Sequence, residues 1–131
     1  MGKTAKIVIT VATLLIAGLL IFSQLPMRGY ERDLSKIGEG KPAVVLGFEN
    51  HSPVGIEAMD RISQVREDYE HSALFLVADL MSEEGEEFAR RHGTHDGFIA
   101  LFDAQGNRLD VRQVPEDQTT LRRFLESNLD L

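Results

Sequence analysis

A chain of 131 residues has room for one domain of ordinary size and one short additional segment. Its composition, with 43% apolar and 27% charged residues, is that of a globular protein, and the absence of cysteine excludes disulfides, thiol catalysis and thiolate metal ligands. The formal net charge is −7 and all 21 acidic residues follow Pro26, so we expect no nucleic-acid partner, because phosphate binding needs clustered lysine and arginine.

The amino terminus contains a long apolar run that follows Lys3 and Lys6. Residues 7–25 approach the ~20 residues that a helix needs to cross a bilayer, and no small-residue cleavage pattern follows them. An uncleaved anchor is therefore favoured over a cleaved signal peptide or a buried helix. The positive-inside tendency predicts that residues 1–26 form a cytoplasmic amino terminus and a single-pass anchor in the cell inner membrane, with a periplasmic carboxyl-terminal domain.

A polar segment, residues 27–40, follows the predicted anchor and contains Gly38 and Gly40. This composition is typical of a tether, within which residues 31–37 are predicted to form a short helix. The domain proper is predicted to occupy residues 41–131.

The first strand and helix of that domain are strongly patterned. A continuous apolar run, Ala43–Phe48, predicts a strand covered on both faces. The polar turn 49–53 follows it, and residues 54–69 predict an amphipathic helix that Ser52 caps. The apolar stripe of this helix is predicted to contain Ile56, Met59, Ile62, Val65 and Tyr69. In open α/β sheets a turn in this position usually holds the functional site.

The rest of the chain completes the order β-α-β-α-β-β-α. A second apolar strand precedes an acidic helix that Ser82 caps and Gly93 ends, and a hairpin around Gly106 precedes a last helix that Asp117 caps. The predicted ranges are residues 73–78, 83–91, 98–102, 109–112 and, for the last helix, the residues after Asp117.

This order, and the residues that carry it, resemble the thioredoxin family over residues 41–129. Residues 41–45 are similar to the opening of that family's central strand, and His92 and Gly93 to the aromatic-glycine pair that precedes its third core strand. Residues 121–129 are similar to its terminal helix. The resemblance implies an α/β domain with a thioredoxin-like β-α-β-α-β-β-α mixed sheet, and the apolar run of residues 7–25 predicts one amino-terminal transmembrane helix before it.

Two features on which the family's activity rests are missing. The resemblance places the redox Cys-x-x-Cys motif at residues 51–54 or 52–55, which contain no cysteine. It places the family's cis-proline, which faces that motif, at Gly97. We therefore expect a domain that does not catalyse thiol–disulfide exchange, is not an enzyme and needs no cofactor.

The resemblance also implies a partner-binding groove between the turn after the first strand and the loop before the third. Its predicted residues are Glu49, Asn50, His51, Ser52, Pro53, Asp96 and Gly97. The Gly97 backbone is expected to pair with an extended segment of the partner. The predicted function is that of an accessory, assembly or chaperone-like subunit on the outer side of the membrane, which residues 7–25 would hold close to a membrane-bound or periplasmic protein.

Several alternatives stay open on the sequence. A metal-binding protein, or a hydrolase that is metal-dependent or histidine-assisted, would use His51, His92, His95 and Asp96. The same histidines are also explained as solvated loop residues, and Ser52 as a helix cap. The groove could instead be vestigial, and the acidic helix could space or stabilise a complex.

Overall fold

Four strands form one mixed sheet in the computed structural model, which describes residues 2–23 and 30–131, with side chains for residues 2–18 and 30–131. The predicted β-α-β-α-β-β-α order is confirmed. The elements are β1 (Ala43–Phe48), α2 (Pro53–Tyr69), β2 (Leu74–Asp79), α3 (Glu83–His92), β3 (Phe98–Phe102), β4 (Arg108–Gln113) and α4 (Gln118–Leu129), and α1 (Lys3–Ser23) precedes them.

The sheet has the strand order β2-β1-β3-β4. β1 is parallel to β2 and antiparallel to β3, and β4 returns antiparallel to β3 as the second strand of a hairpin. Strands pair on both sides of β1 and helices cover both of its faces, which is why all six of its residues are buried.

Successive residues of each strand point to opposite faces, so the sheet has two cores. The larger core lies under α2 and α4, where Val44, Leu46 and Phe48 meet Ile62 and Leu125. The smaller core lies under α3 and contains Ala43, Val45, Leu76, Ala78, Phe88, Ala100 and Phe102. α2, α3 and α4 therefore fix the position of β1 within the sheet.

The predicted helix caps are confirmed. Ser82 accepts a hydrogen bond from the Gly85 amide at 3.0 Å, and Asp117 accepts one from the Thr120 amide at 3.0 Å. Gly93 ends α3 with φ 67°, a left-handed conformation that glycine adopts without a steric cost. Local sequence chemistry therefore decides where these helices begin and end.

Residues 30–37 pack on the domain along the outer edge of β2. The Glu31 carbonyl accepts a hydrogen bond from the Val77 amide at 2.8 Å, and the Tyr30 hydroxyl lies 2.8 Å from that of Ser63. A short 3-10 helix, Leu34–Lys36, follows, and Leu34 packs against the smaller core. These contacts hold the segment that leads into β1 against the sheet.

The prediction of a transmembrane helix is wrong, and so is the prediction of single-pass inner-membrane localisation with a periplasmic domain. Across residues 2–23 and 30–131, no helix is both long enough and apolar enough to cross a membrane. α1 begins at Lys3 and also carries Lys6 in its first turns. Residues 24–26, which close the predicted anchor, lie outside the described residues.

Candidate binding site at the carboxyl end of the central strand

Three loops meet at one edge of the sheet. Because β1 and β2 are parallel and β3 is antiparallel to β1, both parallel strands end where β3 begins. The Leu80 amide donates to the Phe48 carbonyl at 3.0 Å, and the Gly97 amide donates to the Gly47 carbonyl at 3.0 Å. We call this region, residues 49–56, 80–82 and 94–97, the loop edge; it includes the first turn of α2.

The turn after β1 is tight and ends in a helix cap. The Ser52 amide donates to the Glu49 carbonyl at 3.2 Å, and His51 has φ 71°, which is uncommon for a residue with a side chain. The Ser52 hydroxyl accepts from the Gly55 amide at 3.5 Å, so it faces its own helix. Asn50 and His51 are exposed and lie within 3.4 Å of each other through their side-chain nitrogens.

Asp96 joins the two sides of the predicted groove. Its Oδ1 accepts a hydrogen bond from the Glu49 amide at 2.9 Å. A Cβ placed on Gly55 would collide with the same carboxylate, so the Asp96 side chain fills the space beside the first turn of α2. A carboxylate is favoured there by the positive end of the helix dipole. If the family's redox motif is aligned with residues 52–55, Gly55 occupies the position of the second cysteine. The Asp96 carboxylate lies against this position.

Gly97 is buried, and its backbone is already paired within the domain. Its amide donates to Gly47, and its carbonyl accepts from the Val114 amide at 2.9 Å. Its φ is 79°, and a Cβ at this position would lie 2.7 Å from Cγ1 of Val54. β1 and the residue after β4 therefore use both polar groups of Gly97, and the predicted pairing of this backbone with an extended partner would have to replace those bonds.

Two exposed apolar side chains beside the turn were missed by sequence reasoning. Val54 is 50% and Ile56 is 47% exposed, although the predicted apolar stripe of α2 includes Ile56. The stripe that is buried instead runs through Gly55, Ala58, Met59, Ile62, Val65 and Tyr69. Gly55 could have revealed this, because the i, i+3, i+4, i+7 pattern that starts at Gly55 excludes Ile56.

The histidines do not form one site. His92 packs its ring against those of Phe88 and Phe102, with centroid distances of 4.6 and 5.0 Å, and it lines a cleft of about 440 Å³ between residues 34–37 and α3. Burial lowers its pKa, and the charges of Arg108 and Arg91 lower it further. His95 instead contacts Phe98 edge-to-face at 5.3 Å.

A metal site would require at least three suitable side chains in one place. In the part of the chain that the structure describes, no group of three or more histidine and carboxylate side chains is arranged to hold a metal ion. His51, His92, His95 and Asp96 all belong to that part. The metal-binding and hydrolase alternatives therefore lack support.

Comparisons with known proteins agree on the fold. No family model and no curated protein matches the sequence. A thioredoxin-like protein from Clostridium perfringens matches in structure with a TM-score of 0.60 and 19% identity, over 74% of this chain and 78% of its own. The germline-specific thioredoxin Deadhead from Drosophila melanogaster matches with a TM-score of 0.56 and 16% identity, over 69% and 83% of the two chains. A malarial protein gives 0.56 and 16%, over 68% and 98%.

Identities this low inform on the fold and leave the activity open. The structural matches, with TM-scores of 0.60 and 0.56, cover 68% to 74% of this chain. The chain therefore has the thioredoxin-like fold, and it has this fold without a single cysteine.

Proposed function

We propose that this chain is a redox-inactive, thioredoxin-like protein that binds another protein through the loop edge, as an accessory, assembly or chaperone-like subunit. The observation that carries the proposal is the exposure of Val54 and Ile56 in the first turns of α2. Together with Met81, 70% exposed in the turn after β2, they concentrate exposed apolar side chains at one end of the sheet, and such concentrations mark contact surfaces more often than scattered residues do. Without cysteine, the same surface has no thiol chemistry to perform.

The residues of the predicted groove take different parts in this surface. Glu49, Asn50, His51 and Pro53 are exposed and are available to a partner, together with Val54 and Ile56. Ser52, Asp96 and Gly97 instead shape the surface, by capping α2, holding the Glu49 amide and allowing the close approach of Val54. Substitution of these three residues should therefore disturb binding through folding rather than through lost contacts.

Site-directed photo-crosslinking in living cells tests the proposal. A photoreactive phenylalanine analogue placed at Asn50 and, separately, at Ile56 should capture the same protein, since both positions are exposed at the start of α2. Leu109 is the matched control, because it is 41% exposed and lies at the opposite end of the sheet. Capture from Asn50 and Ile56 but not from Leu109 is the expected result.

Two outcomes would contradict this proposal. Capture of the same protein with equal yield from Leu109 would show that the contact does not depend on the loop edge. Loss of all capture from both Asn50 and Ile56, with the full chain present at normal levels, would leave the exposed apolar pair without a partner.

A further inference from the structure

We infer that the partner presents apolar side chains flanked by lysine or arginine, and that it docks through side chains rather than by pairing with the Gly97 backbone. This inference rests on the proposed function and names the chemical class of its partner. It follows from three properties of the loop edge: its apolar exposure, its engaged backbone and its charge.

The apolar exposure of the domain is concentrated at the loop edge. Outside α1, the large hydrophobic side chains exposed within residues 30–131 are Val54, Ile56, Met81 and Leu109. Val54 and Ile56 follow the turn after β1, and Met81, 70% exposed, lies in the turn after the parallel strand β2. Only Leu109 lies at the other end of the sheet. A partner that covers this edge would remove three of these four side chains from water.

The Gly97 backbone and several other amides of the loop edge are already paired within the domain. Both polar groups of Gly97 are paired, and the amides of Ser52, Leu80 and Phe98 donate to carbonyls within the same edge. The Glu49 amide donates to Asp96. Strand addition depends on unpaired main-chain groups, so Gly97 offers none, and Val54, Ile56 and Met81 supply contact through side chains instead.

The charge of the same region is negative throughout. The loop edge and the starts of α2 and α3 cover residues 49–57, 79–84 and 94–97, which contain no lysine or arginine. Their carboxylates are those of Glu49, Glu57, Asp79, Glu83, Glu84 and Asp96.

Arginines from neighbouring elements offset only part of this charge. Within residues 30–131, Arg61 reaches Glu57 at 3.5 Å and Arg32 reaches Asp79 at 3.8 Å. Arg112, near the end of β4, lies 4.2 Å from the centroid of the Phe124 ring and pairs with Asp110.

The negative charge of the loop edge favours some binding partners over others. Two copies of the loop edge would bring like charges together, which opposes self-association through this face. A partner with cationic side chains around its apolar ones would instead be attracted, and the attraction would weaken as salt is added. A basic, apolar segment is therefore the occupant that fits both properties.

Selection of random 12-residue peptides on the full chain tests this inference. Peptides displayed on phage are first depleted on a full-length V54S/I56S/M81S variant, which removes those that bind α1 or any other surface. The peptides that remain should combine leucine, isoleucine or phenylalanine with lysine or arginine. Their affinity should fall about tenfold on V54S/I56S, as expected for central apolar contacts, and stay unchanged on L109S.

Charge variants separate specific attraction from the general acidity of the chain. E49Q/E83Q should weaken the selected peptides about threefold at low salt and reduce their salt dependence. E39Q/E67Q removes the same charge away from the loop edge and should have little effect. An equal loss on both double variants would overturn the cationic assignment.

The two proposals fail in different ways. Neutral or acidic peptides that still lose affinity on V54S/I56S would overturn the inferred partner class and leave the binding function standing. A selection in which no peptide survives depletion on V54S/I56S/M81S would overturn the binding function itself.

Discussion

The first turns of α2 and α3 are built alike but present different chemistry. Each helix follows a parallel strand, and in each a serine caps the amide of a glycine three residues later, Ser52 with Gly55 and Ser82 with Gly85. A Cβ on Gly55 would collide with the Asp96 carboxylate, whereas one on Gly85 would collide with the Asp79 backbone. The space beside Gly55 is therefore limited by a side chain that can move, whereas the space beside Gly85 is limited by main chain that cannot.

The exposed sides of the two turns differ as well. The start of α2 exposes Val54 and Ile56, whereas the start of α3 exposes Glu83, Glu84 and Glu86. A first turn with acidic side chains is favoured by the helix dipole and needs no partner. Exposed apolar side chains have no such local explanation, which is why the comparison points to α2 as the contact surface.

The largest expected effect is the difference in stability between alanine variants of Gly85 and Gly55. Gly85→Ala should lower the free energy of unfolding by about 3 kcal/mol, because the backbone of Asp79 cannot give way. Gly55→Ala should cost about 1 kcal/mol, since the Asp96 side chain can rotate away and alanine favours the helix. Chemical denaturation of both variants measures the difference.

A double variant sharpens this result. Asp96→Ala removes the side chain that meets the new methyl group, so G55A/D96A should be more stable than the two single losses predict. Strict additivity would show that Gly55 and Asp96 do not compete for the same space.

Removal of the serine caps should also destabilise α3 more than α2, but by less than the glycine substitutions do. Ser82→Ala should cost about 1 kcal/mol, because this hydroxyl accepts from Gly85 at 3.0 Å and donates to the Asp79 carbonyl at 2.7 Å. Ser52→Ala should cost about 0.5 kcal/mol, since its bond to Gly55 is 3.5 Å long. Thermal unfolding with the exposed Thr119→Ala as a control checks both, and an equal loss would contradict the ranking.

The smallest expected effect is a pH dependence of stability that arises from His92, at the end of α3. Burial holds the pKa of His92 below its ordinary value of 6.5, so the unfolded chain takes up a proton before the folded one does. Stability should therefore rise with pH through the window that ends near 6.5, and it should fall as the pH drops below that value. His92→Phe, which keeps a ring against Phe88, should reduce this dependence between pH 5.5 and 7.5.

Chemical denaturation at pH 5.5 and at pH 7.5 tests this prediction. His71→Phe is the control, because His71 is exposed. An unchanged pH dependence in His92→Phe would assign the effect to another group.

Sequence patterns predicted most of the fold but little of the site. Continuous apolar runs predicted β1 and β2, and serine, aspartate and glycine predicted the helix ends, because caps and turns depend on residues only a few positions apart. Ile56 was assigned to the wrong face because its spacing from Met59 fits a stripe as well as the spacing from Gly55 does. The length of the amino-terminal apolar run likewise suggested a membrane span that the described residues do not form.

What the sequence determined by itself was the order of elements, the absence of thiol chemistry and the acidic character of the domain, since these are properties of composition and local spacing. Only the tertiary structure decided what the loop edge presents. The Glu49 amide meets Asp96, and Gly97 meets both Gly47 and Val114, through contacts between distant parts of the chain. Such contacts arise from strand pairing, which brings the end of β1 to the start of β3, and no local pattern encodes which side chains are then left exposed.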